Sequence, residues 1–398
     1  MSRNVVLLGL TSMLTDISSE MVATILPLYL VFGLGLSPLQ FGVADGLYQG
    51  VTAFVRLGGG FVADRWRRYK EVAAFGYALS AVCKLGLVVV GSAWTALTAV
   101  LVLDRSGKGI RTAPRDAMIS LSSDRSGMAT AFGVHRALDT AGAMLGPLVA
   151  FGLLALVPRA FDSVFVVSFF IALVGLGLLL LFVENPPESH PEKQRRDDVS
   201  LRAAIGLLGA RRFKGLVLMC SALALFTMSD GFLYLGLQRQ LDFDVRFLPL
   251  LYTGTALIYM LLALPVGRLA DRVGRGWVFV GGYTLLLLVY MSLLLPPMGT
   301  PALLVYLAFL GAYYAATDGV LMALASAVLP PALRASGLAL VVTATSLARL
   351  LASITFGVLW TAFGLETAVL AFAIGLVVAM VLTVVALKRG GRQAALAG

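Results

Sequence analysis

LDRSGKGIRTAPRDAMISLSSDRSGMATAFGVHRALDTAGAMLGPLVAF, residues Leu103 to Phe151, is the stretch from which the fold is read. Its ends are apolar enough to lie in a bilayer, yet it carries Asp104, Arg105, Lys108, Arg111, Arg115, Asp116, His135, Arg136 and Asp139. An ionisable group at bilayer depth costs about 3 kcal/mol even on lenient insertion scales, so such groups face a water-filled path or a partner and mark function. At a helical repeat, Asp104, Lys108, Arg111 and Arg115 fall within roughly 60° of one another, with Arg105 at their flank. One wall of this helix is polar and the remainder apolar, as for a helix that lines an aqueous cavity within a bundle.

The whole chain agrees. Of its 398 residues 59% are hydrophobic and 13% charged, far from the soluble globular range and typical of a polytopic membrane protein. The net charge of +10 does not describe a nucleic-acid surface, because the basic residues sit in short gaps between apolar runs. Cys83 and Cys220 each lie inside an apolar run, which argues against a disulfide framework. Two histidines, His135 and His190, with no HExxH or CxxC pattern, argue against a metal centre. No catalytic constellation with recognisable spacing is present, so an enzyme is not expected. The apolar run from Val5 to about Leu34 is too long for a cleavable signal and holds Asp16 and Glu20, which makes it a first membrane span.

A span needs about 20 apolar residues. Twelve are expected: Val5 to Leu34, Pro38 to Ala63, Val72 to Gly91, Thr95 to Ser120, Met128 to Val157, Phe161 to Val183, Phe213 to Gln238, Phe247 to Ala270, Trp277 to Leu295, Ala302 to Leu329, Leu333 to Phe363 and Leu365 to Leu387. The polar break divides the chain into an N-terminal six-helix half (1–183), a linker (184–212) and a C-terminal six-helix half (213–398). Arg65, Arg67, Arg68 and Lys70 follow span two; Lys193, Arg195, Arg196, Arg202, Arg211 and Arg212 fill the break; Arg272 and Arg275 follow span eight; Lys388, Arg389 and Arg392 close the chain. All fall on one side, so both termini are expected in the cytoplasm of a cell whose inner membrane holds the protein.

The halves repeat each other. GFVADRWRRYK from Gly60 is answered by GRLADRVGRG from Gly267, with the aspartates 207 residues apart, and RSGMATAFGVHRALDTAGAMLGP from Arg125 by RASGLALVVTATSLARLLASITFG from Arg334, with Gly127 and Gly337 offset by 210. An offset held this closely indicates internal duplication, the arrangement of transporters that rock two halves about a shared site.

Here the chain resembles the major facilitator superfamily. Gly60, Asp64, Arg65 and Arg68 fit the loop motif between that family's spans two and three, and Gly267, Asp271, Arg272, Gly274 and Arg275 fit its second copy, although Arg67 stands where the first copy expects glycine. Arg105 with Gly109 looks like its fourth-span arginine motif, with Lys108 in place of the usual glutamine. Gly142, Gly146 and Pro147 match the span-five pattern associated with antiporters. The resemblance implies an all-α membrane fold of two pseudo-symmetric halves and, more narrowly, a drug:proton antiporter. Glycines at that spacing let two helices touch, so Gly142 and Gly146 read first as packing residues, the other reading of Gly142 to Pro147 being a bend or dry seal against leakage.

Asp64 and Asp271, with Arg65, Arg68, Arg272 and Arg275 beside them, read either as interfacial charge or as a cytoplasmic gate. In the gate reading each carboxylate caps a helix and the arginines, Arg115 among them, reach an acid such as Asp124. Asp16 and Glu20 lie one turn apart near the middle of span one; they are either silent partners of buried arginines or proton-coupling sites, the role that first-span acids have in the antiporters the chain is similar to. Asp139 is a third proton candidate or, in the alternative, the counter-ion of Arg136 or Arg105. The candidate substrate cavity comprises Arg105, Lys108, Arg111, His135, Arg136, Asp230, Tyr313, Tyr314, Asp318 and Arg349. By the 210 offset Asp139 answers to Arg349 and Lys108 to Asp318, which would pair charges of opposite sign at matching depth.

The leading expectation is therefore a proton-coupled exporter of a small molecule, monomeric and without cofactor. The alternative is a carrier of anionic metabolites that uses the basic cluster, which holds if Arg105, Lys108 and Arg111 are not balanced by the in-span acids.

Overall fold

Backbone polar groups in hydrocarbon must be satisfied within their own segment, so each apolar run becomes a helix. The computed structural model describes residues 2–66, 68–91, 93–123, 128–157, 159–185, 206–296, 299–330 and 334–395, leaving aside the side chains of 56–66, 128–129, 300–301, 334–336 and 389–395. Among these residues the regular structure is helical, without strands. Ten helical stretches are long and apolar enough to cross a membrane. Two further long helices, α2 (Pro38–Trp66) and α4 (Trp94–Leu121), hold the polar residues that dilute their apolar runs, Gln40, Asp45 and Gln49 in one and the charged wall from Asp104 to Asp116 in the other. Large apolar side chains stand exposed along the helices, among them Phe75, Leu156, Phe170, Leu181, Leu261 and Leu304, as a lipid-facing surface requires.

The chain forms two compact units, Met1–Glu192 with Asp244–Thr253 and Lys193–Phe243 with Gly254–Gly398. In the first, α1 (Arg3–Leu28) packs against α5 (Met128–Leu156) and α6 (Phe161–Phe182), while α3 (Tyr69–Val89) packs against α4 and α6, and α2 against α4. Pro27 lacks an N–H for the helical ladder, and α1 passes into a π-helical turn, Tyr29–Gly33, just beyond it.

Two glycine contacts set the register of this unit. A Cβ on Gly142 would lie 2.5 Å from the Met13 carbonyl oxygen, and one on Gly146 would lie 2.7 Å from that of Ile17, so α5 touches α1 backbone to backbone. Likewise a Cβ on Gly76 would lie 2.7 Å from the Gly107 carbonyl oxygen, which joins α3 to α4. Small residues permit this approach, and dispersion over the close interface replaces the hydrophobic drive that lipid does not supply.

The second unit holds α7 (Arg211–Leu225), α8 (Asp230–Leu241), the part of α9 (Leu248–Val273) from Gly254 on, α10 (Arg275–Leu294), α11 (Thr300–Val328), α12 (Arg334–Phe363) and α13 (Leu365–Ala395). The span expected over Phe213 to Gln238 is thus two helices, broken between Leu225 and Asp230. A break at bilayer depth frees backbone groups that need other partners. Tyr290 on α10 supplies them: its hydroxyl accepts the Met228 N–H at 2.7 Å and donates to the Phe226 carbonyl at 2.9 Å. The Ser229 hydroxyl caps α8 by accepting the Phe232 N–H. Tyr290→Phe should lower the stability of the protein by about 1–3 kcal/mol, the cost of stranding buried polar groups. The unfolding midpoint in detergent measures it, and an unchanged midpoint would show that the break does not depend on this hydroxyl.

Candidate functional site: a buried charge network in the first unit

Helix α4 is the axis of the site, and the Gly76–Gly107 contact determines what lies opposite it. With α3 so close, Ser80 and Lys84 come level with Asp104. The Lys84 ammonium is 3.2 Å from Asp104 Oδ1 and also donates to the Ser80 carbonyl oxygen at 3.0 Å. The Ser80 hydroxyl donates to Asp104 Oδ1 at 2.9 Å, and Arg105 Nη2 lies 3.2 Å from Asp104 Oδ2. Arg105 also donates to the Tyr48 hydroxyl and lays its guanidinium 3.5 Å from the centre of the Tyr48 ring on α2. One buried carboxylate therefore serves two cations, one of which is backed by a tyrosine face.

Farther along α4, Arg111 sits 4.7 Å above the Tyr77 ring, with Nη2 3.8 Å from Asp16 Oδ1 on α1. Arg115 donates to Ser12 Oγ at 2.7 Å and, through Nε and Nη2, to Asp116 Oδ1 at 3.1 and 3.0 Å. Its Nη1 is 3.8 Å from Asp139 Oδ1 on α5. His135 Nδ1 and Arg136 Nη1 each stand 3.9 Å from the Asp139 carboxylate. The Arg136 side chain is 84% exposed, so that pair contributes little. Across α1 and α5 the Asp16 and Asp139 carboxyls lie in each other's field. Glu20 is half-buried on α1 and lies in the field of Arg105, and Lys108 is the cation with the strongest influence on Asp16.

Three buried nitrogens, Arg105 Nε, Arg111 Nη1 and His135 Nε2, have no hydrogen-bond partner among the described residues. Buried donors are costly to leave unpaired, so each is available to a water or to an oxygen atom of a ligand. No group of histidine, cysteine and carboxylate side chains among the described residues is arranged to hold a metal.

The second unit gathers the other cavity candidates. Asp230, the first residue of α8, accepts the Tyr314 hydroxyl. The Tyr313 ring lies 5.0 Å from that of Tyr314 and 5.4 Å from that of Tyr283. Arg349 on α12 is in the field of Tyr313, Asp318, Tyr314 and Tyr283.

The gate candidates are placed as follows. Asp271 pairs with Arg275, one turn on, at 2.9 Å, and Arg275 Nη1 donates to the Ala323 carbonyl on α11 at 3.4 Å. Arg272 and Arg68 are exposed, and open space surrounds the Gly267 Cβ position. Gly60, Asp64 and Arg65 belong to α2, but their side chains, like the whole of Asp124, lie outside the described residues. Arg115, grouped with the gate on sequence, is engaged by Ser12, Asp116 and Asp139. Gly142 and Gly146 form the α1–α5 contact, and Pro147 is buried in α5 beside them.

Sequence reasoning passed over Lys84, Ser80, Tyr48, Tyr77 and Ser12. For Lys84 the signal was present: it is the one charged residue in the apolar run Val72 to Gly91. A lone intramembrane lysine calls for a buried acid, and Asp104 is that acid.

A model of the Major Facilitator Superfamily matches residues 8–248 and 216–396 of the chain. An uncharacterised MFS-type transporter of Methanocaldococcus jannaschii is 32% identical over 368 residues, 90% of this chain and 89% of the relative. Among solved structures, a mutant of the nucleoside transporter NupG superposes with a TM-score of 0.83 at 16% identity, over 96% of this chain and 100% of that one. A bacterial homologue of the human lysosomal transporter Spinster, inward-facing and unoccupied, superposes with a TM-score of 0.76 at 16% identity, covering 97% and 98%.

Proposed function

Since the chain belongs to the major facilitator superfamily, we propose that it is a twelve-span, proton-coupled antiporter that exports a small molecule by alternating access. The observation that carries the proton coupling is Asp16: a half-buried carboxylate in the first membrane helix whose nearest cation, Arg111, stands at 3.8 Å, too far for a direct hydrogen bond. A carboxylate held this loosely takes up or releases a proton when a change of state alters its surroundings. The gradient, rather than a cofactor, supplies the energy. The protein works as a monomer in the cell's inner membrane with both termini in the cytoplasm, as its basic loops support.

The test uses proteoliposomes and a ligand taken from a thermal-shift screen of lipophilic cations and organic anions. An imposed pH gradient should drive that ligand across the wild-type membrane. Asp16→Asn should keep ligand binding and lose nearly all gradient-driven movement. Equal movement by the two proteins, or none under any gradient, would remove proton coupling from the reading.

A second reading, a carrier of anionic metabolites, is favoured by the unpaired N–H groups of Arg105 and Arg111. Arg105→Gln should then abolish the thermal shift given by organic anions and spare that given by cations. A loss indifferent to ligand charge would count against it.

A further inference from the structure

We propose that Arg105 exchanges partners: it pairs with Asp104 while the site is empty and passes to an oxyanion of the ligand, a carboxylate or phosphate group, when the site fills. The inference deepens the anion-carrier reading and rests on it. An asymmetry at Asp104 allows the exchange. Oδ1 is held twice, by the Lys84 ammonium at 3.2 Å and by the Ser80 hydroxyl at 2.9 Å. Oδ2 has Arg105 Nη2 at 3.2 Å. When Arg105 departs, the carboxylate keeps an ammonium and a hydroxyl, so the buried charge left behind stays compensated. Without Lys84 the same departure would strand it.

Lys84 cannot make the exchange itself. Its side chain is 2% exposed, and its ammonium is committed to Asp104 and to the Ser80 carbonyl oxygen. The Gly76–Gly107 contact clamps α3 on α4 around it, and a Cβ on Gly107 would lie 3.1 Å from Ser80 Oγ. Arg105 is placed differently. Its guanidinium lies against the half-buried Tyr48, and its Nε has no partner among the described residues. The tyrosine face steadies the cation whichever acid it serves. Its planar fork of N–H donors matches the geometry of carboxylate and phosphate groups. Lys84 is thus a positioning residue: by holding Asp104 it releases Arg105 to the ligand.

Calorimetric titration of the purified full-length protein with citrate and with inorganic phosphate tests the exchange. Wild type should bind at least one of them, which tells a carboxylate ligand from a phosphate one, and Arg105→Gln should abolish that binding. Asp104→Asn should raise the affinity about tenfold, because a charge-assisted hydrogen bond no longer competes for Arg105. Lys84→Met should lower it, because Asp104 then depends on Arg105 and holds it back. Opposite signs at two partners of one ion pair separate this role from a structural one, which would weaken binding in both variants. Lys84→Met/Asp104→Leu frees Arg105 with no stranded ammonium and should bind at least as tightly as wild type, so the test survives if Asp104→Asn does not fold. Affinities that fall together, or do not move, while Arg105→Gln still abolishes binding would overturn the exchange and leave the anion-carrier reading standing. Binding of neither anion by wild type would overturn both.

Discussion

Asp104→Leu will destabilise the protein by about 3–5 kcal/mol, the penalty for removing one partner of a buried ion pair and leaving the other uncompensated. Here two cations are stranded, since Lys84 and Arg105 draw on opposite oxygens of the same carboxylate. Lys84 has only the Ser80 carbonyl left, whereas Arg105 keeps the Tyr48 hydroxyl and ring. Lys84→Met should cost less, because Asp104 retains Arg105 and the Ser80 hydroxyl. The double variant Lys84→Met/Asp104→Leu should be more stable than Asp104→Leu alone, since an apolar pair of similar volume removes the stranded ammonium. Unfolding midpoints of the purified proteins in one detergent give all three values. Equal losses from the two single substitutions would show that Asp104 is not the shared counter-ion.

The second large effect belongs to the α1–α5 contact. Gly142→Ala and Gly146→Ala should each cost about 1–3 kcal/mol, because an added methyl meets backbone that cannot swing aside. At Gly142 the obstacle is the Met13 carbonyl oxygen at 2.5 Å and its Cα at 3.0 Å; at Gly146 it is the Ile17 carbonyl oxygen at 2.7 Å. Gly133→Ala and Gly152→Ala on the same helix are the controls: nothing lies within 4 Å of either Cβ position. There the better helix propensity of alanine should leave stability unchanged or slightly higher. Similar midpoints for all four variants would remove the glycine contact as the organising element of this unit.

The helical membrane architecture was legible because hydrophobic run length is a property of the linear chain. The charged residues of α4 were legible as an interior wall for the same reason, since charge within an apolar run is conspicuous. Their partners were not. Arg105 and Arg111 each rest on a tyrosine from a different helix, and nothing along the chain distinguishes Tyr48 or Tyr77 from other aromatic residues of the spans. The broken span in the second unit was equally hidden, because FTMS between Leu225 and Asp230 contains neither proline nor glycine. The break is sustained by Tyr290, which is distant in sequence.

Composition and periodicity were enough to show that this chain crosses a membrane many times and carries ionisable groups within its spans, because burial of charge in lipid is penalised wherever it occurs. Which charges neutralise one another depended on how closely particular helices approach. Glycines at 76, 107, 142 and 146 remove the side chains that would keep those helices apart, and the resulting contacts put Lys84 on Asp104 and hold α1 against α5.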